Sequence, residues 1–469
     1  MARVKKKETL TPEERLQAAL VPESEQPYPV PRNWCWTQLG TYIDFATDYV
    51  ANGSFASLKQ NVAYYKEENY AILVKTQDFS NSFTEDLTYT DKRGYDFLKK
   101  SVLYGGELIL SNIGSIGKVF RVPHLNKPMT LAPNSIMIKC YRETDYDLLY
   151  YYFLSPFGTE QLYSITTGTA VKKFNKTDLK AICLPLPPLS EQQRIVDRIE
   201  SLFAKLDEAK QKAQDALDSF ETRKAAILHK AFTGELTAQW RKEHGVGIES
   251  WKEKEIGQIA FVTKLAGFEY TKNIAPNLVD TGVPLFKGKN VQKGELILEF
   301  ESFIPENISN ELPRSQLNRK CLLTPYVGTI GNIAIFDGSF KAHLGSNVGK
   351  IEINSDTYEE YVLYYLRSDF GYKELTKQKK ATAQESISIQ AIREVVIRIP
   401  LQEEQAEIVR ILDNLLTKEQ QAKEAAEGVL EQIDLIKKAI LARAFRGELG
   451  TNDPSEESAL ELLRQISNF

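Results

Sequence analysis

The sequence repeats itself at long range, and this repeat limits the folds that are open to the chain. Residues 187–203 read PPLSEQQRIVDRIESLF, and residues 400–416 read PLQEEQAEIVRILDNLL. An ungapped alignment of residues 190–236 with residues 403–449 gives 19 identities in 47 positions. A period this long indicates a duplicated domain and not a solenoid of short repeats.

Weaker similarity extends the repeat upstream at nearly the same offset. SNIGSIGKVFRV at 111–122 matches PYVGTIGNIAIF at 325–336, and Asn134 matches Asn347. The two copies also end alike, as AFTGEL and AFRGEL. The chain therefore consists of two copies of one unit, in which a variable segment of roughly 150 residues precedes a better-kept one.

The better-kept segment has a helical period. Its apolar side chains recur in steps of three and four, which is the heptad pattern of a coiled coil. Ser190 with Gln193 predicts a capping box at the start, and Gly234 and Gly447 predict the two ends. The predicted seam consists of Ile195, Ile199, Leu202, Leu206, Phe220 and Ile227 in the first copy and Ile408, Leu412, Leu415, Ile433, Ile436 and Ile440 in the second.

Two heptad helices in one chain most simply pack on each other. Each is expected to span about 40 residues, or roughly 60 Å at ~1.5 Å per residue. Because the linker after the first helix is short, the second helix is expected to run back antiparallel. The sequence thus predicts an α+β protein in which an antiparallel two-helix coiled coil separates two mixed α/β domains, with a pseudo-twofold internal repeat.

These observations predict seven segments along the chain. They are an N-terminal extension (1–29), a first variable domain (30–187), a long helix (188–236), a linker (237–247), a second variable domain (248–400), a second long helix (401–449) and a C-terminal tail (450–469). Within the variable domains, the two glycine-containing matches predict paired strands around a turn. YDLLYYYFL and YEEYVLYYLRS each predict a short helix.

The composition argues against several classes of protein. The chain has no run of 18 apolar residues, so no membrane-spanning helix is predicted. The four cysteines lack CxxC spacing and the four histidines lie far apart, so neither a disulfide framework nor a metal site is predicted, and a cytoplasmic location is expected. The net charge of −4 arises mainly after residue 400, so the two variable domains are nearly balanced in charge.

The repeated motifs carry a family resemblance. PLPPLSEQQRIVDRIESLF with ILHKAFTGEL, and IPLQEEQAEIVRILDNLL with ILARAFRGEL, resemble the specificity subunits of type I restriction–modification systems. The resemblance covers roughly residues 30–469, and the second copy departs from it only in lacking the double proline. It implies two target-recognition domains, each followed by a conserved helix.

The resemblance also implies a function. Each domain would read one half of an asymmetric bipartite target in double-stranded DNA, and the helices would dock two methyltransferase subunits and set the gap between the half-sites. Restriction and translocase subunits are the further expected partners. The chain itself would be no enzyme and hold no cofactor, because S-adenosylmethionine, ATP and Mg are expected on the partner subunits.

The sequence contains no motif that contradicts a non-catalytic role. LPPL at 186–189 lacks the acidic or asparagine residue and the aromatic residue that an adenine methyltransferase places around its two prolines. GSIGKV at 114–119 is not a phosphate-binding loop, because Asn112 occupies the position of the first glycine.

A polar, basic segment near the end of each variable domain supplies the candidate DNA contacts. The segments are TTGTAVKKFNKTDLK (166–180) and TKQKKATAQESISIQ (376–390). Lysines suit phosphates, whereas asparagine, glutamine and serine reach base edges. The candidates are Lys172, Lys173, Asn175, Lys176, Lys377, Lys379, Lys380, Gln384, Ser386 and Ser388, with Ser115 and Lys118 of the glycine turn.

Two alternatives stay open from the sequence. The candidate lysine segments are also compatible with ordinary solvated loops. The whole chain is also compatible with a coiled-coil scaffold that joins two protein-binding domains, which a steep salt dependence of DNA binding would exclude.

Overall fold

The structure is a computed structural model that describes residues 11–142, 144–292, 294–377 and 385–467. Its contacts divide the chain into two compact units, of which unit 1 comprises Met1–Lys212 with Val429–Phe469 and unit 2 comprises Ala213–Gly428. Each unit thus combines one variable segment with the start of one long helix and the end of the other. Within the four described ranges, no helix has the length and apolar character needed to cross a membrane.

Short strands and helices build the first variable segment. The strands are β1 (Cys35–Gln38), β2 (Ile43–Asp48), β3 (Ala71–Val74), β4 (Tyr89–Thr90), β5 (Val102–Leu103), β6 (Leu108–Ser111), β7 (Val119–Arg121), β8 (Met129–Leu131), β9 (Ser135–Cys140) and β10 (Cys183–Leu186). The helices up to residue 218 are α1 (Pro12–Ala19), α2 (Leu39–Tyr42), α3 (Phe55–Asn61), α4 (Lys92–Phe97), α5 (Tyr146–Leu154), α6 (Pro156–Ser164), α7 (Lys176–Ala181) and α8 (Leu189–Asp218).

Two four-stranded sheets enclose two cores in unit 1. One sheet is antiparallel with the order β2-β9-β6-β7, and the other has the order β4-β3-β8-β5 with β3 and β8 parallel. Successive side chains of β6 point to opposite faces, so Leu108 and Leu110 enter one core and Ile109 enters the other. β1 and β10 form a separate antiparallel pair. The predicted strand pair around the glycine turn, β6 with β7, and the predicted short helix, α5, are confirmed.

Unit 2 begins within the first long helical segment, at Ala213. Its strands are β11 (Lys252–Glu255), β12 (Ala260–Lys264), β13 (Val283–Phe286), β14 (Val291–Gln292), β15 (Glu295–Leu296), β16 (Phe303–Ile304), β17 (Gln316–Leu317), β18 (Cys321–Pro325), β19 (Ala334–Phe336), β20 (Ala342–Leu344), β21 (Val348–Ile353) and β22 (Val396–Ile399). The remaining helices are α9 (Phe220–Phe232), α10 (Ala238–Glu243), α11 (Ile256–Ile259), α12 (Gly267–Glu269), α13 (Glu306–Glu311), α14 (Glu359–Arg367), α15 (Asp369–Thr376), α16 (Ile389–Arg393), α17 (Gln402–Ala444) and α18 (Ala459–Ser467).

Unit 2 repeats the sheet topology of unit 1. Its antiparallel sheet has the order β12-β21-β18-β19, and its mixed sheet has the order β16-β13-β20-β17 with β13 and β20 parallel. β11 pairs with β22 as β1 pairs with β10. Apart from the extra hairpin β14–β15, the strands of unit 2 correspond in chain order to those of unit 1, which confirms the predicted duplication. The predicted strand pair β18 with β19 and the predicted helix α14 are present as well.

The two long helical segments pair antiparallel in each unit. In unit 1, Ile195 and Ile199 near the start of α8 share a core with Leu441 near the end of α17. Farther along, Asp207 forms an ion pair with Lys437. In unit 2, α9 and the first half of α17 also run antiparallel. The predicted α+β class and the predicted antiparallel helix pair are therefore confirmed.

The contacts in unit 2 are the counterpart of this pairing. Leu228 of α9 shares a core with Ile408 and Leu412 of α17. Nearer the middle of the helices, Nε of Arg223 lies 2.8 Å from Glu419. Glu419, which interrupts the apolar period of the second copy, therefore has its charge neutralised across the helix pair.

Half of the twelve predicted seam residues are buried and five more are half-buried, whereas Ile436 lies outside the contact face. Ile195, Ile199, Phe220, Ile408, Leu412 and Ile433 are buried, while Leu202, Leu206, Ile227, Leu415 and Ile440 are half-buried. Ile436 is 42 % exposed. After Ala426 the contact stripe passes through Leu430 and Ile433 to Lys437, whose ammonium lies 5.0 Å from the centroid of the Phe203 ring. A straight helix drifts from a strict heptad, which moves Ile436 off the contact face.

The start of the first long helix also differs from the predicted capping box. The helix begins at Leu189, and the Gln193 side chain donates to Asp197 and not to the N-cap. The side chain of Gln192 instead donates to the carbonyl of Pro187 at 3.0 Å. Its counterpart Gln405 makes the same bond to Pro400, also at 3.0 Å. The glutamine of the repeated EQ pair therefore holds the helix start.

The first long segment is divided at Ser219, whereas α17 is continuous. The Asp215 carbonyl accepts both the Ser219 hydroxyl at 2.7 Å and the Ser219 backbone N–H at 3.1 Å. The Ala216 carbonyl accepts the Ser219 hydroxyl and the Arg223 guanidinium, each at 3.2 Å, and side-chain bonds of this kind bend helices. The predicted ends are confirmed, because Gly234 and Gly447 adopt φ values of +84° and +72°. Such left-handed backbone suits glycine, which has no Cβ to clash.

A buried glutamate stands at the start of each long helix. Glu191 accepts hydrogen bonds from Trp34 Nε1 at 2.7 Å, from Asn452 at 2.8 Å and from Thr451 at 3.0 Å. It therefore ties the start of α8 to the segment before β1 and to the segment after α17. The carboxylate is fully buried, so these donors replace the water that it loses.

Glu404 makes the same connections in unit 2. It accepts from Trp251 Nε1 at 2.9 Å, from Thr237 at 2.7 Å and from Arg241 Nη1 at 2.6 Å. Glu404 lies 213 residues after Glu191, so the duplication has preserved this network. The network of unit 2 differs in one partner, Arg241, which forms a buried ion pair with Glu404.

The two ends of the described chain meet in unit 1. Leu16 of α1 shares the main core with Leu462, Leu463 and Ile466 of α18. Farther in, the backbone N–H of Ala459 donates to the carbonyl of Asn33 at 2.9 Å. The segments predicted as an N-terminal extension and a C-terminal tail thus contribute buried side chains to this unit.

Replacing Glu404 with alanine is expected to destabilise unit 2 strongly. The change leaves the Arg241 guanidinium buried without a counter-charge, which costs about 3–5 kcal/mol. Urea unfolding followed by tryptophan fluorescence measures the loss, because Trp251 lies in the same network. The control Glu403→Ala removes an adjacent exposed carboxylate and is expected to change the free energy of unfolding by less than about 0.5 kcal/mol. Equal effects of the two changes would contradict the role assigned to Glu404.

Candidate nucleic-acid interface

Two segments that lie far apart in the sequence form one surface in unit 1. The Asn112 side chain donates to the carbonyl oxygen of Phe174, and the Phe174 N–H donates back to the Asn112 carbonyl, each over 3.1 Å. The N–H of Gly114 donates to the carbonyl of Lys172 at 3.2 Å. We call residues 112–118 and 166–175 loop surface 1.

Unit 2 builds the same arrangement. The N–H of Gly328 donates to the Glu385 carbonyl at 2.9 Å, and the N–H of Ile387 donates to the Tyr326 carbonyl at 3.0 Å. Val327 and Ser386 form a bridge as Ile113 and Lys173 do in unit 1. We call residues 326–332 and 385–387 loop surface 2.

An asparagine with positive φ anchors each surface. Asn134 and Asn347 have φ values of +70° and +64°, in the left-handed region that asparagine tolerates better than most residues. The Asn134 carbonyl accepts the Asn112 N–H at 3.3 Å, and the Asn347 carbonyl accepts the Tyr326 N–H at 3.1 Å. The asparagines aligned in the sequence therefore fix the same loop in both copies.

Loop surface 1 presents some of the predicted contacts to solvent. Ser115, Lys118, Lys172 and Lys173 are exposed. They bring a hydroxyl group and three ammonium groups onto one surface. This arrangement joins the two motifs that the sequence analysis treated separately.

Two other predicted contacts of unit 1 already have partners in the fold. Asn175 caps α7, because its side-chain oxygen accepts from the N–H of Thr177 at 2.8 Å and of Asp178 at 2.9 Å. Lys176 forms an ion pair with Asp48 over 2.8 Å, and its side chain is only 32 % exposed. Both are therefore less available to a ligand than the exposed lysines.

The predicted contacts of unit 2 are divided in the same way. Ser386 lies in loop surface 2 and is half-buried, whereas Ser388 caps α16 by accepting from the Ala391 N–H at 2.9 Å. Lys377 pairs with Glu374 over 2.6 Å. The remaining candidates, Lys379, Lys380 and Gln384, lie outside the described residues.

The two surfaces differ in chemistry at one matched position. β2 and β12 pair with equivalent strands, and their registers place Lys264 where unit 1 has Asp48. The Lys264 ammonium lies 4.4 Å from the centroid of the Tyr326 ring, a cation–π contact. The sequence analysis missed Lys264, because only the strand register shows that it faces the loop.

A tyrosine packs beside the second glycine of each turn, and the sequence analysis missed this as well. In unit 1 a side chain added at Gly117 would meet Tyr163 of α6, and in unit 2 one added at Gly331 would meet Tyr372 of α15. The two tyrosines are 47 % and 43 % exposed. They do not align, because Thr159 and Tyr163 become Tyr372 and Thr376, so the tyrosine moves by one helical turn. The exchange of threonine and tyrosine between two positions four residues apart is visible in the sequence and could have identified this pair of tyrosines.

The arrangement suits a polyanion better than a small substrate. In the part of the chain that the structure describes, no acceptor is bonded to the N–H of Gly117 or Gly331, and such amides bind phosphate oxygens. The exposed Lys118 follows Gly117 in the chain, and Tyr163 and Tyr372 pack beside Gly117 and Gly331. Among the described residues, no three His, Cys, Asp or Glu side chains are placed to hold a metal ion.

Comparison with known proteins agrees with this interpretation. The sequence model described as "Type I restriction modification DNA specificity domain" matches residues 50–217 and again 248–428. The specificity subunit of the type I restriction enzyme EcoKI from Escherichia coli K12 is 25 % identical over 436 residues, which is 87 % of this chain and 90 % of that protein. The EcoBI specificity subunit from Escherichia coli is 25 % identical over 351 residues, covering 69 % and 72 %.

A solved structure shares the fold. The HsdS subunit from Thermoanaerobacter tengcongensis superposes with a TM-score of 0.63 at 20 % identity, covering 91 % of this chain and all of that one. The two matched domains, the repeated sheets and the two loop surfaces together place the chain: it belongs to the family of type I restriction–modification DNA specificity proteins.

Proposed function

We propose that the chain reads one asymmetric bipartite DNA sequence, with loop surface 1 on one half-site and loop surface 2 on the other. The observation that carries this proposal is one loop arrangement built twice with different side chains. The backbone arrangement common to both loop surfaces suits the sugar–phosphate chain, which is the same in every DNA sequence. The side chains that differ suit the part that varies, the base edges.

Phosphate contacts are assigned to the exposed lysines and to the amides of the glycine turns. Lys118, Lys172 and Lys173 serve this role in unit 1. Ser115 and Ser386 are assigned to base edges, together with the predicted contact Gln384. Lys264 extends the set in unit 2, where its charge replaces that of Asp48.

The long helices are assigned to partner subunits. Two methyltransferase subunits would dock on them, and restriction and translocase subunits would complete the complex in the cytoplasm. Val429, Leu435 and Ile436 are exposed apolar side chains on α17, and an interface with a methyltransferase subunit would cover them. Methylation, ATP hydrolysis and cleavage are assigned to these partners, which would hold S-adenosylmethionine, ATP and Mg.

Co-expression with a methyltransferase partner tests the proposal. Single-molecule sequencing of the host DNA should reveal one methylated bipartite motif with a fixed gap. A scaffold that joins two proteins would leave no such motif, and its DNA binding would lack sequence preference in the presence of competitor DNA.

The double change Lys172→Ala and Lys173→Ala is expected to weaken DNA binding without changing the recognised sequence. Loss of two phosphate contacts reduces the magnitude of the slope of log K against log salt by about 2. Fluorescence anisotropy of the assembled methyltransferase at several salt concentrations measures the slope. The control Lys59→Ala with Lys66→Ala removes two exposed charges from unit 1 outside loop surface 1 and should leave the slope unchanged. An equal loss in both variants would argue against a specific role for loop surface 1.

The gap between the half-sites is expected to follow the length of the helices. One heptad added to each long helix lengthens it by about 10 Å, or roughly three base pairs. Mapping of methylated adenines should then give a longer gap with both half-sites unchanged. Altered bases in either half-site would contradict the assignment of the helices to spacing alone.

Exchange of residues 248–400 for the equivalent domain of another family member is expected to change one half-site. The other half-site should persist, because each loop surface is formed within its own unit. The same sequencing measures the outcome. New bases in both halves would contradict independent reading by the two units.

A further inference from the structure

An aromatic side chain occupies a small site in unit 1. The ring centroid of Tyr28 lies 4.8 Å from that of Trp36 and 5.2 Å from that of Phe157. Its hydroxyl donates to the carbonyl of Phe445 at 3.1 Å, and the Arg446 guanidinium lies 5.4 Å from its ring. Burial raises the pKa of Tyr28. The segment QPYPV thus delivers a tyrosine into a site with aromatic walls, a carbonyl acceptor and a cation.

The duplication places an equivalent site in unit 2. Phe370 corresponds to Phe157, and Tyr365 and Phe232 correspond to Tyr152 and Phe445, whereas Glu253 stands where unit 1 has Trp36. Thr233 stands where unit 1 has Arg446, and Arg398 stands where unit 1 has Pro185. The acceptor carbonyl has a counterpart as well. Phe232, the last residue of α9, aligns with Phe445, the first residue after α17.

The site in unit 2 is open. Phe232, Thr233, Trp251, Tyr365, Phe370 and Arg398 line a cavity of about 300 Å³. The Arg398 guanidinium lies 5.5 Å from the Trp251 ring, so a cation is present at the cavity wall. Among the described residues, none donates a hydrogen bond to the carbonyl of Phe232. One aromatic wall and the acceptor that hold Tyr28 thus have counterparts in Phe370 and Phe232, and Trp251 supplies a further aromatic wall of the open cavity.

We propose that this cavity binds the tyrosine side chain of an extended segment from a partner protein, as the site in unit 1 binds Tyr28. The ring would lie among Phe232, Tyr365 and Phe370. The hydroxyl would donate to the Phe232 carbonyl, and Arg398 would supply the cation. The inference concerns protein docking and does not depend on how the loop surfaces read DNA.

The occupant is assigned to another protein for a reason within this chain. Tyr28 is held in its own unit by ring contacts on two sides and by its hydroxyl bond, so a second copy would have to give up these contacts to supply it. A nucleobase is disfavoured, because the side chain that fills the equivalent site of unit 1 is a tyrosine within a peptide segment, flanked by Pro27 and Pro29. Prolines keep such a segment extended and lower the entropy lost on binding.

The test titrates the full chain with a fluorescein-labelled peptide QPYPVPR, which is residues 26–32 of this sequence. Anisotropy should show saturable binding of one peptide per chain, and the same peptide with tyrosine replaced by alanine should not bind. Phe370→Ala should weaken binding by at least about tenfold, because it removes an aromatic wall. Phe268→Ala removes a 71 % exposed ring elsewhere in unit 2 and should leave binding unchanged.

Two further variants keep the test informative if Phe370→Ala fails to fold. Thr233→Arg supplies the cation that faces Tyr28 in unit 1 and should tighten binding about threefold. Tyr28→Ala empties the site of unit 1 and should raise the stoichiometry from one to two.

Several outcomes would overturn the proposal. One is no binding to the unaltered chain together with one site in Tyr28→Ala, because the peptide would then fit unit 1 alone. Another is displacement of the peptide by a single-stranded oligonucleotide, which would assign the cavity to nucleic acid. A third is concentration-dependent self-association that Tyr28→Ala abolishes, which would assign it to a second copy.

Discussion

Two buried carboxylates determine how the rest of each unit is connected. Glu191 and Glu404 stand in the first turn of the two long helical segments and are fully buried. Each accepts hydrogen bonds from the tryptophan before the first strand of its own unit and from the segment that follows the other long helix. A buried carboxylate needs these donors, so the three parts are stable only together. The antiparallel order of the helices within each unit follows from this connection.

The parts of the fold that depend on local period were predictable from the sequence. The heptad steps gave the helix pair, and the matched glycine turns gave the strand pairs β6–β7 and β18–β19. Ile436 was wrongly predicted to lie in the seam, because the apolar period alone does not show that Lys437 contacts the other helix at this turn. The break at Ser219 coincides with side-chain bonds from Ser219 and Arg223 to the Ala216 carbonyl, which the apolar pattern does not report.

The candidate site was less predictable, because its residues come together through distant contacts. Asn175 and Ser388 are polar and aligned, which fits helix caps as well as base contacts. Lys176 is paired with Asp48, a residue 128 positions away that no local pattern links to it. The positive φ of Asn134 and Asn347 became meaningful only when both carbonyls were found to hold the same turn. The alignment of the two copies was therefore the strongest signal, even where its meaning was structural.

The meeting of α1 and α18 in unit 1 has a consequence for the order of events during synthesis. Unit 2 is a continuous stretch of chain, so all its parts have been made once the first half of α17 leaves the ribosome. Unit 1 lacks the end of α17 and the buried side chains of α18 until residues 429–467 are translated. A nascent polypeptide that has reached the middle of α17 would thus hold a closed second domain and an open first one, with Thr451 and Asn452 still missing from the partners of Glu191. The fold in this way links a competent first domain to translation of the second long helix and of the segment that follows it.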